Sequence, residues 1–166
     1  MRGGVGECCV PPVGGISPLM EKQRYVELFG ALMAARSTVP SNRPIHMFGC
    51  GHPMLFPMAI ALGADLFDSA AYALFARDNR LLSPEGTIKL EGLNEWPVSS
   101  AVLFGRTPEE VRALDKDERS VLLAPHNLEV TQTELARCRE AVREGRIWQL
   151  AERRSHATPQ YREAFL

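Results

Sequence analysis

The sequence predicts an α/β fold, with a small parallel sheet in its first half and helices in its second. Three observations carry this. Short apolar runs near residues 10–16, 45–48 and 64–67 are separated by longer segments with apolar residues at helical spacing. Each run ends in residues that suit a strand end: Gly14-Gly15, then Gly49-Cys50-Gly51-His52-Pro53, then Asp68. Past residue 100 the chain carries two helix-opening patterns, Thr107-Pro-Glu-Glu110 and Thr131-Gln-Thr-Glu134. A β-α-β-α-β order implies parallel strands joined by crossovers. The three strand ends then share one side of the sheet, the side where α/β barrels carry their active sites.

Taken in order, Val10–Ile16 reads as a strand that stops at the double glycine. Pro18 suits the first turn of a helix. Leu19, Tyr25, Leu28, Phe29, Leu32 and Met33 extend that helix as one unit over 19–36. Ser37–Pro44 is rich in turn formers. Ile45–Phe48 is a buried strand, Met54–Leu62 a buried helix, and Gly63 its left-handed cap. Ala64–Phe67 is the third strand, ending at Asp68. Thr107 caps a helix, and a second short helix covers Asp117–Ala124. A third opens at Thr131, runs through Leu135, Cys138 and Val142, and stops at Gly145. Ile147, Trp148, Leu150 and Ala151 begin the last.

With 166 residues the chain can form one compact unit with a real core. A formal net charge of -1 excludes a general polycation, so any RNA contact needs a local patch. The arginines at 137, 139, 143, 146, 153 and 154 are interleaved with Glu134, Glu140, Glu144 and Glu152, which reads mainly as a solvated helix face. No apolar run reaches the roughly 18 residues of a membrane helix. The first residues have one Arg and no apolar segment, unlike a signal peptide, so a cytoplasmic protein without membrane attachment is expected. Cys8, Cys9, Cys50 and Cys138 fit neither a zinc pattern nor a disulfide framework and read as reduced, apolar thiols.

Three segments resemble the archaeal-type tRNA-guanine (archaeosine) transglycosylases. They are Val13-GGISPLMEKQRY-Val26, Asn42 to Arg80 with RPIHMFGCGHPMLFPMAIALGADLFDSAAYALFARDN between them, and Leu81-LSPEGTIK-Leu90. Arg106-TPEEV-Arg112 and Leu122-LAPHNLE-Val130 continue the likeness. The resemblance implies that residues 1–90 are the C-terminal portion of a (β/α)8 TIM barrel. It implies that 91–166 are a helical extension derived from the family's zinc-binding lobe. The implied activity is that of a pentosyltransferase, which exchanges a guanine in tRNA for a 7-deazaguanine precursor of archaeosine through a covalent RNA–enzyme intermediate.

By resemblance, Asp68 matches the nucleophile that attacks the ribose anomeric carbon. From the residues alone it reads first as a strand-end cap of the following helix; the resemblance reverses that order. The backbone of Gly14, Gly15, Ile16 and Ser17 matches the loop against the base, where glycine lets main chain approach a flat ring. A tight turn is the simpler reading of a double glycine. His52 reads as a structural, hydrogen-bonded histidine.

Two departures qualify the resemblance. A whole barrel needs ~250 residues, and the part expected to hold the general acid/base and most base-recognising side chains has no counterpart here. The expectation is one part of a split enzyme, completed by an N-terminal half-barrel chain and acting on tRNA, with self-association left open. The alternative is a non-catalytic accessory subunit or degenerate fragment that binds a partner chain or tRNA. In addition, the family's three zinc cysteines are replaced by Val98, Ser100 and Leu103, with only His126 kept. No metal or other cofactor is expected. His126 reads as a surface or capping residue at a helix end.

Overall fold

The fold is described from a computed structural model, over residues 10–166. Cys8 and Cys9 lie outside these described residues. The architecture is mixed α/β, as the apolar runs require. Strands β1 (Pro12–Val13), β2 (His46–Phe48) and β3 (Leu66–Asp68) form a parallel sheet in the order β1-β2-β3. Pro12 pairs with His46, and His46 in turn with Leu66; Phe48 pairs with Asp68. The strands are short because each has only two or three residues between its turns.

Side chains alternate across this sheet. Val13 and Met47 point to one face and are buried. Against that face pack helix α2 (Tyr25–Thr38) and a 3-10 turn, Pro53–Leu55, that leads into α3 (Phe56–Ala61). Phe48 and Leu66 point the other way and are about half exposed, at 57% and 47%. One face of the sheet is therefore core, and the other is open.

The helix expected over 19–36 is two helices. The first, α1 (Ser17–Glu21), ends where Gln23 takes a positive φ of 54°, and α2 restarts at Tyr25. The break turns Tyr25 inward, where its ring sits 5.5 Å from that of Tyr161. Gly63 caps the α3 turn with a φ of +99°, as the sequence implied. After β3, α4 (Ala71–Arg77) leads into an antiparallel hairpin, β4 (Arg80–Ser83) and β5 (Gly86–Lys89). The sequence reading had no hairpin there. Pro84 and Glu85 make a two-residue connection before Gly86.

The second half differs more from expectation. Helix α5 (Pro108–Ala113) has the predicted capping box at Thr107, with Glu110 bonding back. The two helices expected over 117–145 are a single helix, α6 (Lys116–Arg143), of 28 residues. Pro125 lies inside it and removes one backbone donor. The carbonyl left without that donor belongs to Val121, which is 71% exposed, so water can take the bond. Thr131 starts nothing: its Oγ1 donates to the carbonyl of Asn127, one turn back, at 2.8 Å. His126 is consequently in mid-helix and buried, not at a surface or a helix end. The expected last helix is also two, α7 (Ile147–Ser155) and α8 (Pro159–Phe165), the second opened by Thr158 and Pro159.

These C-terminal helices return to the helices that cover the sheet, α7 against α3 and α8 against α2. Ala151 and Tyr161 belong to the same apolar cluster as Val13, Leu28 and Met47, and the Tyr161 hydroxyl donates to the carbonyl of Met54 at 3.0 Å. Two buried polar side chains on α6 fasten the rest. Asn127 accepts from the Leu82 amide at 2.8 Å and donates to the carbonyls of Tyr72 and Arg80, both at 3.1 Å. Glu134, fully buried, is gripped by Arg154 of α7 at 2.8 and 3.1 Å and by Arg137 at 2.7 Å. Arg154 is thus an interior residue, whereas Arg143–Glu140 is a surface pair of the expected kind.

Candidate functional site at the C-terminal rim of the sheet

The parallel register fixes what meets at the rim. Asp68 is the last residue of β3, level with Phe48 on β2. The next residue of β2's chain, Gly49, donates its amide to Asp68 Oδ1 at 2.6 Å. Gly49 has a φ of +80°, and a Cβ there would sit 2.8 Å from Ser17 Oγ. A side chain at Gly51 would meet the Ser69 Cβ at 2.1 Å. The Gly-x-Gly turn is therefore required twice over: once for its left-handed backbone, once for its close approach to the chain after Asp68.

Gly14 and Gly15 leave β1 at the same rim, and the space where a side chain would stand is open at both. Gly15 has a φ of +71°. Ile16 turns its side chain into the core at 2% exposure, and its carbonyl accepts from the Met20 amide as α1 begins. Ser17 opens α1 beside Gly49. The structure thus brings Asp68 and the loop Gly14–Ser17 to one edge, on either side of the end of β2.

The Asp68 carboxylate is about half exposed, at 47% of its side chain. The only bond made to it among the described residues is to Oδ1 from Gly49; it does not cap α4, whose first amide at Ala71 is bound instead by Ser69 Oγ at 2.9 Å. A cavity of about 200 Å³ adjoins it, lined among others by Gly51, Phe67, Tyr72, Leu128 and Gln132. His46 Nε2 lies 3.6 Å from Oδ1, and the His46 ring meets the Phe48 ring edge-on at 5.9 Å. His46 and Phe48 were read only as strand residues. The signal that could have found them is parity: residues two apart on β2 face the same side, and that side is the open one.

His52 sits just behind the rim and is buried. Its Nδ1 accepts from the Met54 amide at 3.2 Å, which leaves Nε2 as the donor to Thr87 Oγ1 at 3.0 Å. Burial, with Arg80 nearby, pushes its pKa down to about 4, so it stays neutral and structural. Burial pushes the Cys50 thiol up to about 12, which makes it inert as a nucleophile although it adjoins the cavity. Cys138 is likewise buried and raised to about 12, by burial first and the Glu134 charge second.

Val98, Ser100, Leu103 and His126 lie between the hairpin and α6 or on α6 itself. Val98 and Leu103 carry no donor atom, and Leu103 packs with Val111 and Leu123 in an apolar cluster. Both ring nitrogens of His126 and the Ser100 hydroxyl are buried without a hydrogen-bond partner. No group of three or more metal-binding side chains occurs among the described residues. One imidazole beside a neutral hydroxyl and two alkyl groups does not fit a tetrahedral zinc site.

Among the described residues no helix is long and apolar enough to cross a membrane. Residues 7–160 match the queuine tRNA-ribosyltransferase family. The chain is 47% identical over 154 residues to the tRNA-guanine(15) transglycosylase of Methanothermobacter thermautotrophicus, covering 93% of this chain and 24% of that protein. It is 45% identical over 156 residues to the protein of the same name from Thermococcus kodakarensis, covering 94% and 27%. The chain thus spans about a quarter of the length of these relatives. With nearly all of its own length matched, the chain belongs to the queuine tRNA-ribosyltransferase family.

Proposed function

We propose that this chain supplies the nucleophile and the base-facing loop of a tRNA-guanine transglycosylase of the archaeosine type, as the C-terminal portion of a (β/α)8 barrel. The observation that carries the reading is the rim itself: a half-exposed carboxylate, Asp68, with one oxygen held by Gly49, beside a glycine loop open to solvent. An ionised carboxylate at that position can attack the anomeric carbon of a ribose, expelling guanine and forming a glycosyl ester. The incoming base then displaces Asp68. On this reading the proton that the leaving guanine takes up comes from an acid on the partner half-barrel.

The open face of the sheet supports a partner. Phe48 and Leu66 stand half exposed beside Asp68, and β1 and β3 each have an unpaired edge among the described residues. Apolar residues on an uncovered parallel sheet favour association, because parallel sheets are normally covered on both faces. An N-terminal half-barrel would cover them as the barrel lumen. On this reading 91–166 is the counterpart of the zinc lobe, held by the Leu103–Val111–Leu123 packing in place of metal. Metal analysis of the untagged protein should find well below one zinc per chain; one equivalent resistant to a chelator would refute that assignment.

The deciding experiment is guanine exchange into tRNA by this chain co-expressed with an N-terminal half-barrel from a relative. Asp68→Asn keeps the shape and removes the anionic nucleophile. Exchange should fall by about 10³-fold or more, while tRNA binding, which rests largely on phosphate contacts, changes little. Full activity in Asp68→Asn sinks the nucleophile. An inactive wild-type complex that still binds tRNA or the partner half favours the accessory-subunit reading.

A further inference from the structure

We infer that His46 is the positioning residue of Asp68, holding one carboxylate oxygen so that the other is presented to the ribose; this rests on the transglycosylase reading above. The two contacts made to the carboxylate converge on one atom. Gly49 N donates to Oδ1 at 2.6 Å, and His46 Nε2 approaches the same Oδ1 at 3.6 Å. Oδ2 takes no hydrogen bond among the described residues, so it is the oxygen with lone pairs available for attack. The register explains why the imidazole arrives there. His46 lies two residues before the level of Asp68 on the neighbouring strand, and both side chains stand on the open face. The edge contact with Phe48 limits the swing of the ring.

At 3.6 Å the His46 contact is longer than a hydrogen bond. Such contacts commonly tighten when substrate fills a site. The geometry assigns His46 two moments in the exchange. In the first displacement Oδ2 forms its bond to C1′ as the C1′–N9 bond breaks, with the electron pair leaving on guanine. Here His46 and Gly49 fix the rotation of the carboxylate. In the second displacement the incoming base bonds to C1′ through N9, giving its N9 proton to the group that earlier protonated guanine, and the C1′–Oδ2 pair returns to Asp68. The carboxylate is then the leaving group, and the two donors on Oδ1 stabilise the charge it regains.

The test compares His46→Gln with His46→Asn in the reconstituted complex. Both amides have similar polarity, but only Gln places its NH2 at the reach of the imidazole Nε2. The expected result is a kcat reduced on the order of 10²-fold in His46→Asn, largely recovered in His46→Gln, with no rise in KM for tRNA in either. The Asn variant should also accumulate more covalent RNA–protein adduct at steady state, read on a denaturing gel, because release from the ester is slowed. Equal kcat in wild type and both variants overturns the inference while leaving the transglycosylase reading intact. So does an equal loss in Gln and Asn accompanied by a raised KM, which marks a merely structural side chain. A wild-type complex with no exchange overturns the functional reading first, and this inference with it.

Discussion

Asp68 and Glu134 are both carboxylates, and they live in opposite worlds. Glu134, on α6, has no exposed surface, and both its oxygens are bound by arginines. Asp68, at the sheet rim, is about half in water and has one oxygen bound. The first arrangement is what architecture requires: a buried charge survives only when every lone pair is answered. The second is what a nucleophile requires, because a fully satisfied carboxylate has nothing left to donate. Asp65 stands between them. Its Oδ2 accepts the Ile45 amide at 2.8 Å, tying the entry of β3 to the entry of β2. The two ends of one strand thus carry a fastening carboxylate and one with a free oxygen facing solvent.

That contrast breaks most visibly at Glu134. Arg154→Met should destabilise the protein by about 3 kcal/mol, because it leaves a buried carboxylate with only the half-exposed Arg137. Urea unfolding reads this directly, and a change under about 1 kcal/mol would mean the pair is not buried in solution. Replacing both partners by apolar residues should cost much less than replacing Arg154 alone.

At the strand ends, Asp65→Ala should cost about 1–2 kcal/mol, since the Ile45 amide it leaves behind is in a buried residue. Asp68→Ala should cost less than about 1 kcal/mol, since water reaches that rim. The reverse order of stabilities would show that Asp68 is the fastener. Asp65→Asn should likewise lower the melting temperature, and any activity with it, by weakening the acceptor for the Ile45 amide. A loss there has to be read alongside the melting temperature.

A separate effect concerns pH. His52 has its folded pKa lowered from 6.5 to about 4 by burial. Between these values the unfolded chain binds a proton that the folded chain refuses, so stability rises with pH there. The contribution is present above pH 6.5 and is lost as pH falls towards 4. His126 is lowered for the same first reason, burial, and acts with the same sign. Melting temperature should therefore drop between pH 7 and pH 5, and His52→Gln should flatten that slope. An equal slope in the variant would remove His52 as its source.

Local chemistry made much of this chain legible. The three strand ends, the capping box at Thr107 and the Gly63 cap follow from residue types that have few alternatives. The placement of Gly14–Ser17 near Asp68 also follows, because parallel strands in sequence order bring their C-terminal ends together. What failed was reading Pro125 and Thr131 as helix boundaries. Both are tolerated inside α6, the proline because the residue whose carbonyl loses its donor, Val121, is exposed, and the threonine because it bonds back into the helix. That error carried His126 from the core to the surface. The hairpin over 80–89 was missed because Ser-Pro-Glu-Gly is ordinary turn chemistry, and the anchor that holds it, Asn127, is 45 residues from Leu82.

By itself, then, the sequence determined where strands end and which carboxylate stands at the rim, since these depend on residue identity and a few neighbours. Only the tertiary structure decided which polar groups are buried, that α6 is one helix, that α7 and α8 pack back on α3 and α2, and that His46 approaches Asp68. Those facts depend on contacts between residues far apart in the chain, where burial and the need to answer every buried charge outweigh local preference.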